Sequence, residues 1–137
     1  MKKTETTIEK DVFHILKNSP LKDLISGQIY RRGMRPADSG AEDVVVKFLA
    51  GTDGQFQDGV VVINAYVPDV AIDGNNGRKV ENIARVEQLE QAIVALFTHY
   101  VATEYLFGIT DTPQSLHEPE IEQHFIYTRL NFRRLSL

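Results

Sequence analysis

Residues 80–107 read VENIARVEQLEQAIVALFTHYVATEYLF, and the reading of this stretch decides the fold. Val86, Leu89, Ile93, Leu96, Phe97, Tyr100 and Phe107 recur at steps of three, four and seven. That repeat predicts one long amphipathic helix over 80–107. At ~1.5 Å per residue it would run about 40 Å, enough to lie across a small sheet. Glu87, Glu90 and Gln91 interrupt its apolar positions, so it does not read as a membrane span. On its back, Val94, Val101 and Tyr105 make a second, narrower stripe beside Gln91, Ala95, Thr98 and Ala102. A helix that is apolar on two sides requires two partners. A sheet would be one; the N-terminal helix or a neighbouring subunit would be the other.

The rest of the chain supplies that sheet. Upstream, Gln28-Ile29-Tyr30-Arg31-Arg32 alternates as a first strand, and residues 42–49 read as a second. Gly51 to Gly59 is a Gly- and Asp-rich turn leading into a third strand over 60–67, which predicts a hairpin. The third strand is apolar on both faces for four residues, Val60 to Ile63. Such a strand is covered on both sides or buries its second face against another chain. Downstream, residues 121–135 alternate as a long fourth strand, with 115–118 a possible short strand before it. At the start, Thr6-Thr7-Ile8-Glu9 has capping-box spacing with Thr6 as N-cap, and Ile8, Val12, Ile15 and Leu16 form a helical stripe ended by Asn18-Ser19-Pro20. The expected architecture is one α+β domain over 1–137: helix, three-stranded meander, long helix, strand, in a mainly antiparallel four-stranded sheet with helices packed on it.

Composition bounds the function. The 137 residues suit one domain with a real core, and net charge −4 argues against a dedicated nucleic-acid binder. The chain has no cysteine, which removes disulfides, thiolate metal sites and Cys nucleophiles. The opening Met1-Lys2-Lys3-Thr4-Glu5-Thr6-Thr7 has no apolar run behind it, so it does not read as a secretion signal, and folding in a cytosol is expected.

Motifs for chemistry are sparse. Asp73-Gly74-Asn75-Asn76-Gly77 fails the EF-hand pattern, because Gly77 and Ala84 fall where ligands are required. No phosphate-binding loop, HExxH or GxSxG occurs. His117, Glu118, Glu120, Glu122 and His124 form a His/acid segment. In a continuous strand, Glu118, Glu120, Glu122 and His124 would share a face, but Pro119 breaks it, and a solvated acidic edge is the expectation. His14 lies beside the first helix's stripe and reads as a surface or boundary residue, and His99 lies on the long helix away from its main stripe. No general acid–base pair can be named, so no catalytic residue, cofactor or metal is expected.

Arg31, Arg32 and Arg35 cluster near the first strand, and Arg129, Arg133 and Arg134 near the C-terminus. Beside Tyr30 and Phe125 they could form a nucleic-acid surface. The alternative is ion pairing with Asp38, Glu42 and Asp43, within the chain or between subunits. Residues 33–41 form a long loop of the kind that often carries contacts.

The order of elements, with Ile29-Tyr30-Arg31-Arg32-Gly33-Met34-Arg35-Pro36, Glu42-Asp43-Val44-Val45-Val46 and Gly59-Val60-Val61-Val62-Ile63, resembles the tail terminator (tail completion) proteins of long-tailed bacteriophages and prophages. The resemblance implies a ring-forming virion structural protein, commonly a hexamer, that caps the tail tube and joins it to the head. It implies partners in its own copies, the tail tube and the head-joining proteins, with DNA passing the lumen unbound, no enzyme activity, and no membrane. The expected location is the virion tail, after assembly in the bacterial host cytoplasm. Candidate interface residues are Arg31, Arg32, Arg35, Asp38 and Asp43 around the long loop, Phe56 in the hairpin, and Val94, Val101 and Tyr105 on the back of the helix. A small nucleic-acid-binding or regulatory module, or a metal-dependent enzyme using His117 and His124, are the alternatives.

Overall fold

The computed structural model describes residues 1–98, 100 and 104–136. Its first helix, α1 (Glu5–Lys17), buries Ile8, Val12 and Leu16 along the expected stripe. The start differs from expectation. Thr4, with extended backbone, occupies the N-cap, and Thr6 lies inside the first turn. Glu9 does not reach back to cap the helix, because Arg31, Arg32 and the Phe48 amide claim its buried carboxylate. The short helix α2 (Leu21–Leu24) follows, then strands β1 (Ile29–Arg31), β2 (Val44–Thr52), β3 (Phe56–Pro68), β4 (Val70–Ala71) and β5 (Lys79–Val80). Helix α3 (Ile83–Thr98) precedes β6 (Tyr105–Gly108) and β7 (Gln114–Glu118). A 3-10 turn over Pro119–Ile121 then leads into β8 (Gln123–Leu135).

The α+β class holds, but the sheet is mixed and six-stranded, ordered β1-β2-β3-β8-β6, with β7 also on β8. Two features correct the four-stranded expectation. First, β1 runs parallel to β2, with Ile29 opposite Val44. The long loop between them carries the chain back to the starting end, so the two cannot form a meander. Second, the expected long helix stops far short of Phe107. Tyr105–Gly108 pairs antiparallel with β8 from Arg134 to Asn131. These residues satisfy a period of two as well as 3.6: Tyr105 is buried and Leu106 exposed. The thirteen-residue β8 extends past β7 and offers its edge to that alternation. The smaller expectations for 115–118 as a strand and for the β2–β3 hairpin agree with the structure.

Register assigns the two faces of the sheet. Val44, Val46, Val61, Ile63, Ala65, Ile126, Thr128, Leu130, Phe132, Tyr105 and Phe107 share one face. Both helices cover it. Glu9 and Asp11 of α1 bond Arg31 and Tyr105, and Phe97 of α3 meets the Phe107 ring edge-on at 5.5 Å. The other face carries the rows Val45–Asn64–Tyr127, Lys47–Val62–Arg129 and Ala50–Val60–Asn131, and among the described residues α1 and α3 pack on the opposite one. Val62 is nonetheless 3% exposed. Its direct neighbours in the ladder, Lys47 and Arg129, have stems long enough to shade it. That accounts for the doubly apolar third strand within a single chain.

Candidate functional site

Three elements converge where β3 ends. Pro68 is the last residue of β3, and the next amide, that of Asp69, donates to the Glu122 carbonyl at 3.0 Å. Glu122 adopts a left-handed conformation, φ 52°, as the 3-10 turn passes into β8. The ladder then sets His124 between Val67 on one side and His117 on the other. Asp69, His117 and His124 thereby meet, with one donor atom from each within 4.8 Å of the others.

The geometry is directional. His124 Nδ1 lies 2.7 Å from Asp69 Oδ1, and His117 Nε2 lies 4.0 Å from Asp69 Oδ2. The two imidazoles are stacked, centroids 4.6 Å apart and planes 15° from parallel. The Asp69 side chain is 4% exposed, that of His124 16% and that of His117 55%. A buried carboxylate therefore faces two imidazole nitrogens, one held and one open to solvent.

The sequence reading found the two histidines and missed Asp69, which lies 55 positions from His124. No local spacing carries that signal; only the β3–β8–β7 register does. The break expected at Pro119 is present, and Glu118, Glu120 and Glu122 do not share a strand face with His124. The 3-10 turn takes Glu120 out of the strand, Glu118 ends β7 opposite Gln123, and Glu122 is exposed.

The other sequence candidates are placed as follows. Arg35 is largely buried. It bonds Asp43 at 2.9 Å and Gln123 at 2.9 Å, and its guanidinium lies 3.9 Å from the centre of the Tyr66 ring. Asp43 also accepts from Ser39 and from the Gln28 amide. Burial pushes its carboxyl up, but these three bonds outweigh it and hold it below the usual range. The 33–41 loop is thus pinned to the sheet, with Asp38 exposed upon it. Arg31 and Arg32 pair with Glu9, Arg129 with Asp111, Arg133 with Asp58 and Arg134 with Glu104. All six arginines of the two basic clusters lie within 4.0 Å of a carboxylate of the same chain, Arg31 and Arg32 sharing Glu9. Of the expected acidic partners Asp43 serves Arg35, while Glu42 serves Arg85 of α3.

Phe56 is exposed at the start of β3, under the Arg133 guanidinium at 4.9 Å. Val94 is half-buried on α3. Val101 lies outside the described residues. Tyr105 is not on a helix at all: it is buried in β6 against α1. The stripe drawn through these three residues is therefore not a helix face. At the end of the open sheet face, Thr52, Asp58, Val60, Leu106, Asn131 and Arg133 line a shallow depression of ≈ 580 Å³. Leu106, 72% exposed, projects beside it.

No described helix is long and apolar enough to cross a membrane. No protein-family model matches this chain, and no curated protein matches its sequence.

Proposed function

We propose that the chain is a ring-forming structural subunit of a bacteriophage tail, a tail terminator that caps the tube and joins it to the head. The observation that carries this reading is the uncovered sheet face with Leu106, Phe56 and Leu135 exposed at its end. A monomer gains nothing from large apolar side chains grouped there, whereas a subunit interface buries them. The resemblance of residues 29–36, 42–46 and 59–63 to that family adds to it.

A ring requires a heterologous contact, in which two different patches meet. The apolar end of the open face is one patch. The outer strip of α3 around Gln91, Val94 and Ala95 is the other, and it borders a second shallow groove. The basic residues first considered for nucleic acid favour the same reading. Paired with acids of the same chain, they are not left as a bare basic surface that would grip DNA. Light scattering and negative-stain microscopy of the purified protein test the proposal: rings are expected. A strict monomer at high concentration that does not associate with tube protein overturns it.

A further inference from the structure

We infer that Asp69, His117 and His124 form a binding site for a single divalent transition-metal ion of the zinc type. This inference stands independently of the ring reading.

The donor chemistry selects the ion class. Two imidazole nitrogens and one carboxylate oxygen suit zinc, nickel, cobalt or copper(II). Calcium and magnesium demand oxygen-rich shells that this cluster does not provide.

The geometry is close to what such an ion requires. Ligands held at about 2.0–2.1 Å in a tetrahedron stand roughly 3.3 Å from one another. The three donor atoms lie within 4.8 Å of one another, with the Asp69 oxygens Oδ1 and Oδ2 standing 2.7 Å from His124 Nδ1 and 4.0 Å from His117 Nε2 respectively, on either side of that value. The ion would spread the Asp69–His124 contact and draw His117 inward. The side chains are suited to those parts. His124 and Asp69 are held by burial, while the largely exposed His117 ring is free to turn. It must turn, because the in-plane lone pairs of two stacked rings lie in nearly parallel planes and do not converge on one ion. Rotation of His117 about its side-chain torsions corrects this without moving the backbone.

Charge gives a reason for the site. A carboxylate this deeply buried requires compensation, and its ionic partners are two imidazoles, which are uncharged unless protonated. A divalent ion supplies the missing positive charge directly. On binding, one Asp69 carboxylate oxygen, His124 Nδ1 and His117 Nε2 would each donate a lone pair. Three protein ligands leave a fourth position on the His117 side, open to water.

The backbone pre-sets this arrangement. His117 and His124 are direct cross-strand partners, and Asp69 is fixed by its amide hydrogen bond to the Glu122 carbonyl, so all three anchors are tied to the start of β8. Direct partners hold their Cβ atoms about 4.5–5.5 Å apart. Little ordering remains to be done when the ion arrives.

The test uses untagged full-length protein, stripped with chelator and titrated calorimetrically with Zn²⁺, with Co²⁺ as a spectroscopic probe. One equivalent of Zn²⁺ is expected to bind saturably and raise Tm, and Co²⁺ to develop a ligand-field band. His117→Gln, at an exposed position that the fold does not depend on, should weaken Zn²⁺ binding at least about tenfold. Asp69→Asn and His124→Gln should do the same, with folding checked by circular dichroism. His14→Gln, on the exposed side of α1, should leave binding unchanged. Absence of saturable binding overturns the inference, as does a Zn²⁺ affinity that His117→Gln leaves intact.

Discussion

The Tyr105 hydroxyl donates a 2.7 Å hydrogen bond to Asp11 Oδ2, joining β6 to α1. Lys3 Nζ bonds the same oxygen at 2.7 Å and Glu104 at 2.6 Å, and Glu104 in turn binds Arg134 of β8 at 2.9 Å. This chain of bonds anchors the start of the polypeptide to the edge strand that a helical reading had absorbed. Burial and the bond to Asp11 hold the Tyr105 hydroxyl strongly toward its protonated form. Tyr105→Phe removes a partner from the network and should cost about 1–2 kcal/mol in urea unfolding. Self-association should not change. Unaltered stability with altered association would return Tyr105 to an outer surface.

Acid should destabilise the fold in a defined window. Burial raises the Asp11 carboxyl, but bonds from Lys3 and Tyr105 outweigh it. The bond from Arg85 lowers Glu42, and that from Lys3 lowers Glu104; Asp43 is lowered as described above. In each case the folded value lies below the unfolded one. The stabilisation is therefore complete above the unfolded carboxylate range, about pH 4, and is lost as pH falls through the depressed folded values. Glu90, raised by burial and by Glu81 and Glu87, opposes this as a single group. Urea midpoints should be level near neutrality and fall below about pH 4. A midpoint that holds or rises from pH 6 to 3 contradicts the network.

Gly27 is required by space. A Cβ there would lie 2.0 Å from Asp43 Oδ1 and 2.6 Å from the Glu42 carbonyl oxygen. Gly27→Ala must displace the buried Asp43 carboxylate, and with it the partner of Arg35, Ser39 and the Gln28 amide. A loss of about 3 kcal/mol is expected by chemical denaturation. Gly40→Ala, with open space around it, should stay within about 0.5 kcal/mol of the parent. Equal effects of the two would remove the steric argument.

Thr128 lies in the core opposite Ile63, and its Oγ1 has no hydrogen-bond partner among the described residues. Thr128→Val replaces a stranded hydroxyl with a methyl of similar shape. Stability should be unchanged or gain about 1 kcal/mol. A loss of that size would mean the hydroxyl is satisfied.

Leu106 tests the ring. Glutamate at this exposed edge position should leave the unfolding midpoint within about 0.5 kcal/mol of the parent. Assembly should fall to monomer in sedimentation experiments. Rings that survive Leu106→Glu would remove the open-face end from the interface.

Much of the fold was legible where one periodicity had no competitor. Ile8, Val12 and Leu16 read only as a helix face, and Val61, Ile63 and Ala65 read only as strand. Tyr105, Leu106 and Phe107 fitted both periods, and the sequence carried no signal for choosing between them. For Arg35 and Asp43 the sequence leaves two readings open, an interface contact or an ion pair within the chain. Their mutual bond and the Tyr66 ring beneath Arg35 let them be buried within the chain.

By itself, the sequence determined the α+β class, the helix that opens the chain, the β2–β3 hairpin and the long last strand. Local patterning is enough for these, since each element's own side chains set its period. Tertiary structure decided the direction of β1, the capture of residues 105–108 by β8, and the meeting of Asp69 with His117 and His124. Each depends on pairing between distant segments. An available strand edge and a fixed ladder register exist only once the sheet has formed.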